Sequence, residues 1–251
     1  MNENLSFIAY SHSSYSDLWI PFFDRLEKHL PISFAKYYLF VDEVPEEMRE
    51  VVPDHFEIIA YQDEDSYTDR LKKCLEKVQT DYCVFHHEDM ILCGDVNVGI
   101  LDEYFNAMKT EEIDYIKLLK GGDPKDTVID NRHSQVPSLC KITNDFMYII
   151  AIQPSIWRVK TFLEIVSHHE GLNIWEFESE VHNFCRTKSY KYFYSYVGTE
   201  RKRGLFHWDC AVYPAICTAI FKGKWTTTEY WPELFAIFQT YNIDPDERGS
   251  A

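Results

Sequence analysis

The seven cysteines of this sequence contain no CxxC pair, and their number is odd. Cys74, Cys83, Cys93, Cys140, Cys185, Cys210 and Cys217 are scattered, several inside apolar patterns. They read as reduced, buried small hydrophobes of a cytosolic-type compartment, and a cytoplasmic location is expected. No apolar run approaches the length of a membrane span, and no basic-plus-apolar leader opens the chain, so a transmembrane segment is not expected. GxGxxG and GxxxxGK[ST] are both missing, which removes the dinucleotide-Rossmann and P-loop readings. HxH and HExxH are missing too, and a metal-dependent hydrolase would want such paired ligands on one element. Basic residues are short: 25 Lys and Arg against 41 Asp and Glu leave a formal charge of −16. Such a surface repels nucleic acid, whose recognition needs cations to displace counterions from phosphates. An anionic ligand would need local compensation, and a bound divalent cation supplies it.

What the sequence does have is apolar mass. Over 251 residues, 45% are apolar and 16% aromatic, enough for a substantial core. Leu5–Ala9 (LSFIA) suits a buried strand. Leu18, Trp19, Phe22, Phe23, Leu26 and Leu30 then recur at helical spacing until Pro31. Tyr37–Val41 and Phe56–Ala60 are further strands. Ser66 caps a helix, with Asp69 completing a capping box. Tyr82–Phe85 is a fourth strand. Strand and helix thus alternate over the first 90 residues, which predicts a mainly parallel sheet covered by helices. Asn97–Met108 reads as helix and Ile113–Leu119 as strand, and 121–136 is a long polar loop. Phe146–Ile152 reads as strand, followed by a helix with Ile156, Val159 and Phe162 on its buried face. Asn173 caps a helix running through Phe177, Val181 and Phe184. Tyr190–Val197 is strand-like, and a last helix starts at Pro232. With no repeats, low-complexity tracts or linker, 1–247 reads as a single α/β domain and 248–251 as a tail.

In an open α/β sheet, ligands bind beyond the carboxyl ends of the strands. Three polar clusters fall there: Tyr10–Asp17 after the first strand, Asp42 after the second, and His86–Asp89 after the fourth. The last belongs to YCVFHHEDMIL, a core strand running straight into two histidines and two carboxylates.

A strand delivering an acidic pair after such alternation resembles the GT-A-fold glycosyltransferases. In that family a short acidic motif, DxD, holds Mn²⁺ or Mg²⁺ against the pyrophosphate of a nucleotide sugar. SYSDLW, QPSIW, NIWEFE and the closing HWD with GKW also resemble segments of a GT-A branch found in microbial and viral genomes. The resemblance implies a single GT-A (Rossmann-like) domain, with 1–92 as the nucleotide-sugar half and 93–247 as the acceptor and catalytic half. It lays His87-Glu88-Asp89 on DxD. Asp89 matches the final metal-binding carboxylate, His87 departs from the first Asp, and Glu88 faces ribose or metal-bound water. An imidazole in place of an oxygen ligand favours Mn²⁺ over Mg²⁺. A late histidine often adds a metal ligand in the family; here that is His207, with Asp209 as second candidate. Lys224 or Lys222 would neutralise the departing diphosphate. Tyr10 and Ser11 would lie against the base, Asp42 at uracil or ribose, and Arg70 would reach inward.

Inverting transfer needs a carboxylate base at the acceptor hydroxyl. NIWEFESE offers Glu176, Glu178 and Glu180. Glu176 stands at the capping-box position and so has a structural task available. In the family the chain resembles, the carboxylate at such a helix start faces the acceptor, and the resemblance implies Glu178 as the base with Glu176 as its substitute. The expected activity is metal-dependent transfer of one sugar from a nucleotide sugar, UDP-linked, to a glycan or other hydroxyl acceptor. The motif alone does not fix inversion against retention. A non-catalytic sugar- or nucleotide-binding module and a metal-dependent hydrolase are the competing readings.

Overall fold

A computed structural model of the chain describes residues 2–121 and 131–250. In order come β1 (Asn2–Tyr10), α1 (Trp19–His29), β2 (Phe34–Val41), β3 (Phe56–Ala60), α2 (Tyr67–Leu75), β4 (Tyr82–His87) and α3 (Val98–Glu111). There follow β5 (Tyr115–Lys117), β6 (Leu139–Lys141), β7 (Ser155–Arg158), α4 (Val159–His168), α5 (Ile174–Arg186) and β8 (Tyr192–Ser195). Two short hairpins, β9 (Lys202–Arg203) with β10 (His207–Trp208) and β11 (Ile220–Phe221) with β12 (Lys224–Trp225), precede α6 (Thr227–Tyr241). Eight strands form one sheet in the order β3-β2-β1-β4-β7-β5-β8-β6. The β3-β2-β1-β4 half is parallel throughout, whereas β7 and β6 run antiparallel to their neighbours.

The period of two along each strand sorts side chains between two cores. Phe7, Ala9, Leu39 and Val84 pack with α1, α3 and α6, while Ile8, Phe40, Cys83 and Phe85 pack with α2, α4 and α5. Burying a Phe or Leu contributes about 1.5–3 kcal/mol each, so both layers are strong enough to hold the sheet edge rigid. All seven cysteines are unpaired, and six of them are buried.

Several local expectations change. β4 runs two residues longer than the apolar pattern indicates, so both histidines are part of the strand. Alternation then sends them to opposite faces: His86 packs against Phe7, Phe22 and Tyr213, and His87 against Tyr10 and Phe85. Residues 146–152 form no strand. Their backbone groups are satisfied by side chains instead: Lys117 Nζ donates to Tyr148 O, Tyr115 hydroxyl to Ala151 O, and Ile149 N to His182 Nδ1. The predicted helix through Ile156 begins only at Val159, because Ser155–Arg158 is inserted between β4 and β5 as an antiparallel strand. At Ser66 the cap is real but the box is altered, since Asp69 accepts from the Ser66 hydroxyl at 2.7 Å. The last helix starts at Thr227, with Pro232 inside it. Residues 248–250, read as a tail, are packed: Gly249 O accepts Trp225 N at 3.0 Å, and Ser250 bridges to Trp225. Of the long loop expected at 121–136, residues 122–130 lie outside the described residues.

Candidate active site

The chain passes from β1 to β2 on one side and places β4 on the other, so the strand order reverses at β1. At the carboxyl ends of β1 and β4, this switch point opens a cleft of about 930 Å³. Tyr10 and His87, the last residues of the two strands, are register partners on its floor. Their rings continue a flat wall, with Tyr61 stacked on Tyr10 at 5.5 Å and 11°, and Tyr10 on His87 at 4.9 Å and 25°. Tyr67, from α2, closes the wall with its hydroxyl 3.2 Å from His87 Nε2.

Immediately beyond β4, one ligand atom each from His87, Glu88 and Asp89 fall within 4.8 Å of one another. The turn is fixed from behind, where Met90 N donates to His87 O and Ala219 N to Asp89 O. Burial leaves these groups mismatched to their ordinary protonation. It pulls His87 down to about 3, assisted by His86, so the imidazole is neutral and able to ligate. It pushes Glu88 well above the usual carboxylate range, and the Asp89 charge adds to the effect. Asp89 is pushed up to about 7 by burial, against the opposing backbone hydrogen bond from Ile220. Two acids and a neutral imidazole, converging in a buried corner that disfavours their negative charge, fit a divalent cation such as Mn²⁺ or Mg²⁺.

A further part of the cleft lining comes from α5. Asn173 and Glu176 form a full capping box, each side chain bonding the other's backbone N–H at 2.9–3.0 Å. Two residues on, a helix has turned by about 200°, so Glu178 points away from that cap and into the cleft. Its Oε1 accepts Ile152 N at 2.6 Å. Burial raises the Glu178 carboxyl above its ordinary value, opposed by the Ile152 bond and by the charge of Lys117. Trp175, 57% exposed, lines the cleft as well.

His207 closes the cleft between the two acidic centres, and its charge is felt by both Asp89 and Glu178. Nδ1 lies 2.6 Å from Glu229 Oε2. Burial opposes protonation of this ring, yet Cys217 and Glu229 favour it and lift the imidazole to about 11. The Glu229 contact depends on two local features. Pro232 cannot continue the helical ladder, and Tyr230 departs from helical geometry (φ −123°, ψ 29°), which tilts the turn carrying Glu229. Gly204, at φ +58°, leaves the space; a Cβ there would fall 1.7 Å from Glu229 Oε1.

The structure therefore brings Tyr10, Arg70, His87, Glu88, Asp89, Glu178 and His207 to one cleft. Arg70 lies over the Tyr61 ring at 5.1 Å, while its Nη2 is paired with Asp63 at 2.7 Å. Other expected residues lie elsewhere. The Ser11 hydroxyl is buried and accepts the Trp19 indole N–H at 2.7 Å. Asp42 accepts both Ser13 N and Ser13 Oγ, at 2.7 and 2.5 Å, and so anchors the loop after β1. Glu176 is exposed and occupied as a cap. Lys224 is exposed on its hairpin, and its neighbour Lys222 lines the cleft instead. Asp209 is engaged by Arg203 and Arg201. Tyr61, Tyr67, Cys217 and Glu229 also line the cleft, and no sequence signal marks them, because a tyrosine after a strand or at a helix start, a cysteine in an apolar run and a lone glutamate each read as ordinary structure.

The mixed sheet, the crossover helices and the cleft at the strand reversal define a GT-A-like, Rossmann-type fold. Among solved structures, S. aureus TarS 1–349 is similar over 98% of this chain and 68% of its own, with TM-score 0.50 and 11% identity. The same fragment in complex with UDP is similar over 77% of this chain and 60% of its own (TM-score 0.46, 12% identity). Bifunctional IspDF from Campylobacter jejuni is similar over 72% and 47% (TM-score 0.43, 16% identity). No family model and no curated protein matches the chain. At these identities the likeness to TarS speaks for the fold alone. Among the described residues, no helix is long and apolar enough to cross a membrane.

Proposed function

We propose that this chain is a metal-dependent glycosyltransferase that moves one sugar from a UDP-linked donor to a hydroxyl of a glycan or similar acceptor, with inversion. One observation carries the reading: a metal-capable His87-Glu88-Asp89 corner after β4 and a separate carboxylate, Glu178 of α5, line the same switch-point cleft.

In this reading the flat wall of Tyr10 and Tyr61 receives the donor's planar base, and Arg70 borders it. His87, Glu88 and Asp89 would hold Mn²⁺ or Mg²⁺, joined by His207 after loss of its proton. Bound there, the ion supplies positive charge against the leaving diphosphate. Glu178 takes the proton of the acceptor hydroxyl as its oxygen bonds to the anomeric carbon. The bond from that carbon to the diphosphate oxygen breaks, and its electron pair leaves with UDP. Trp175, one helical turn before Glu178, offers the acceptor sugar an exposed ring face.

A panel of nucleotide sugars, screened for Mn²⁺-stimulated release of the nucleotide, tests the proposal. Turnover of one donor that disappears in Asp89→Ala is the expected result. Binding of UDP with Mn²⁺ but no turnover of any donor would make the chain a binding module instead.

A further inference from the structure

The SYSDLW segment and the chain around residue 248 are distant in sequence, yet they meet beside the acidic corner. Arg248 Nε donates to Asp17 Oδ2 at 2.6 Å, and its Nη2 pairs with the second oxygen of the same carboxylate. Nη2 also reaches Ser14 O at 3.2 Å, Nη1 reaches Gly223 O at 3.3 Å, and the guanidinium lies 5.0 Å over the Tyr15 ring. Ser14 and Tyr15 line the cleft, as does Lys222 beside Gly223. The Arg248 side chain is only 16% exposed, and its charge and that of Asp17 are both felt by Glu88. A buried-side, bidentate guanidinium thus packs behind Ser14 and Tyr15 of a cleft lined by the acids Glu88, Asp89, Glu178 and Glu229 and by the cations Arg70 and Lys222.

A guanidinium holds a carboxylate and a phosphate through the same two-pronged geometry. We propose that Arg248 is an anion-binding residue of the donor site, which takes the diphosphate of a nucleoside diphosphate and rests on Asp17 in its absence. In this exchange Asp17 is the stand-in for the phosphate and Tyr15 the surface along which the guanidinium turns. The inference rests on the nucleotide-sugar reading, and it goes beyond it by assigning the diphosphate to a residue outside the acidic motif.

The test is calorimetric titration of the full chain, in Mn²⁺, with UDP and separately with inorganic pyrophosphate. Arg248→Ala should weaken both by about tenfold to a hundredfold, the range of a lost charge-assisted pair, while Mn²⁺ alone still binds, since Arg248 supplies no metal ligand. Arg248→Lys, which keeps the charge and the fold, should recover part of the loss. Asp17→Asn separates direct contact from loop bracing: removal of the competing carboxylate should preserve or tighten UDP binding. If Asp17→Asn weakens UDP as much as Arg248→Ala, or if Arg248→Ala binds UDP like the parent, the assignment is overturned. Parent protein that binds pyrophosphate but not UDP would remove the nucleotide reading and leave Arg248 to be judged on pyrophosphate. Parent protein that binds neither would overturn both.

Discussion

Replacing Glu178 by Gln and by Ala separates the bond its carboxyl makes to Ile152 from the proton transfer proposed for it. One oxygen accepts the Ile152 N–H at 2.6 Å. Gln can present its amide oxygen to the same N–H in the same volume, but it cannot take a proton. Loss of a general base costs about 10²–10⁴ in rate, or roughly 3–5 kcal/mol of barrier. Glu178→Gln should therefore lower kcat for nucleotide release by that factor, with UDP affinity unchanged. Its Tm should equal or exceed the parent's, since a carboxyl that burial holds above its ordinary range is exchanged for a neutral group. Glu178→Ala should lose the same activity and also orphan the Ile152 N–H, at about 1–3 kcal/mol of stability. Scanning fluorimetry would read that as a Tm lower by several degrees for a chain this long. A pH series supplies the third measurement. An acid with a raised pKa becomes a working base only as pH climbs above the ordinary carboxylate range, so parent activity should rise there and the Gln variant should lose that limb. Turnover by Glu178→Gln within tenfold of the parent would refute the assignment, whatever its Tm.

Asp89→Asn should raise the stability of the metal-free protein at pH 8 while abolishing the Tm increase produced by Mn²⁺. Burial holds Asp89 at about 7 in the fold, so its ionised form opposes folding as pH rises through the range above its unfolded value; an unchanged Mn²⁺ shift would sink the ligand role. Gly204→Ala should reproduce Glu229→Ala in weakening Mn²⁺ binding, because its methyl group displaces the carboxylate that holds His207. The left-handed φ adds about 1–2 kcal/mol of destabilisation, and retention of full Mn²⁺ affinity by both variants would separate Glu229 from the site. His182, buried on α5, is pulled from 6.5 down to about 4 by burial and by the Lys117 charge. The unfolded chain therefore binds the extra proton between those values, and about 3 kcal/mol of stability present above pH 6.5 is lost as pH falls to 4. His182→Asn, which can still accept Ile149 N, should flatten this part of the profile in urea unfolding; a slope equal to the parent's would contradict it.

Much of the fold is written in local pattern. LSFIA, YYLFV, FEIIA and YCVF each carry enough contiguous apolar residues to be strands, and the intervening 3.6-residue periodicity demands helices on their faces. The Asn173 cap was legible to the residue, because capping is settled by side chains three positions apart. Residues 146–152 were not, because an apolar run shows that a segment is buried but not which partners its backbone will bond. Here Lys117, Tyr115 and His182 arrive from three other elements to do so.

The site divides along the same line. His87, Glu88 and Asp89 are adjacent in the chain and stand at a strand end, so their meeting needs nothing beyond β4 and its turn. The capping box sets Glu176 aside within the sequence, but that Glu178 lines the cleft is seen only in the fold. Neither Ser11 nor Asp42 could be excluded locally: their hydroxyl and carboxylate are taken by Trp19 and Ser13, which only the folded loop brings within reach. Glu229 beside His207, and Arg248 on Asp17, are meetings of residues 22 and 231 positions apart. The sequence by itself determined the strands, the cap and the acidic corner, because those rest on interactions within one element and its turn. The α5 lining of the cleft and its charge partners were decided by tertiary structure, because only packing converts distant chain positions into contacts of a few ångströms.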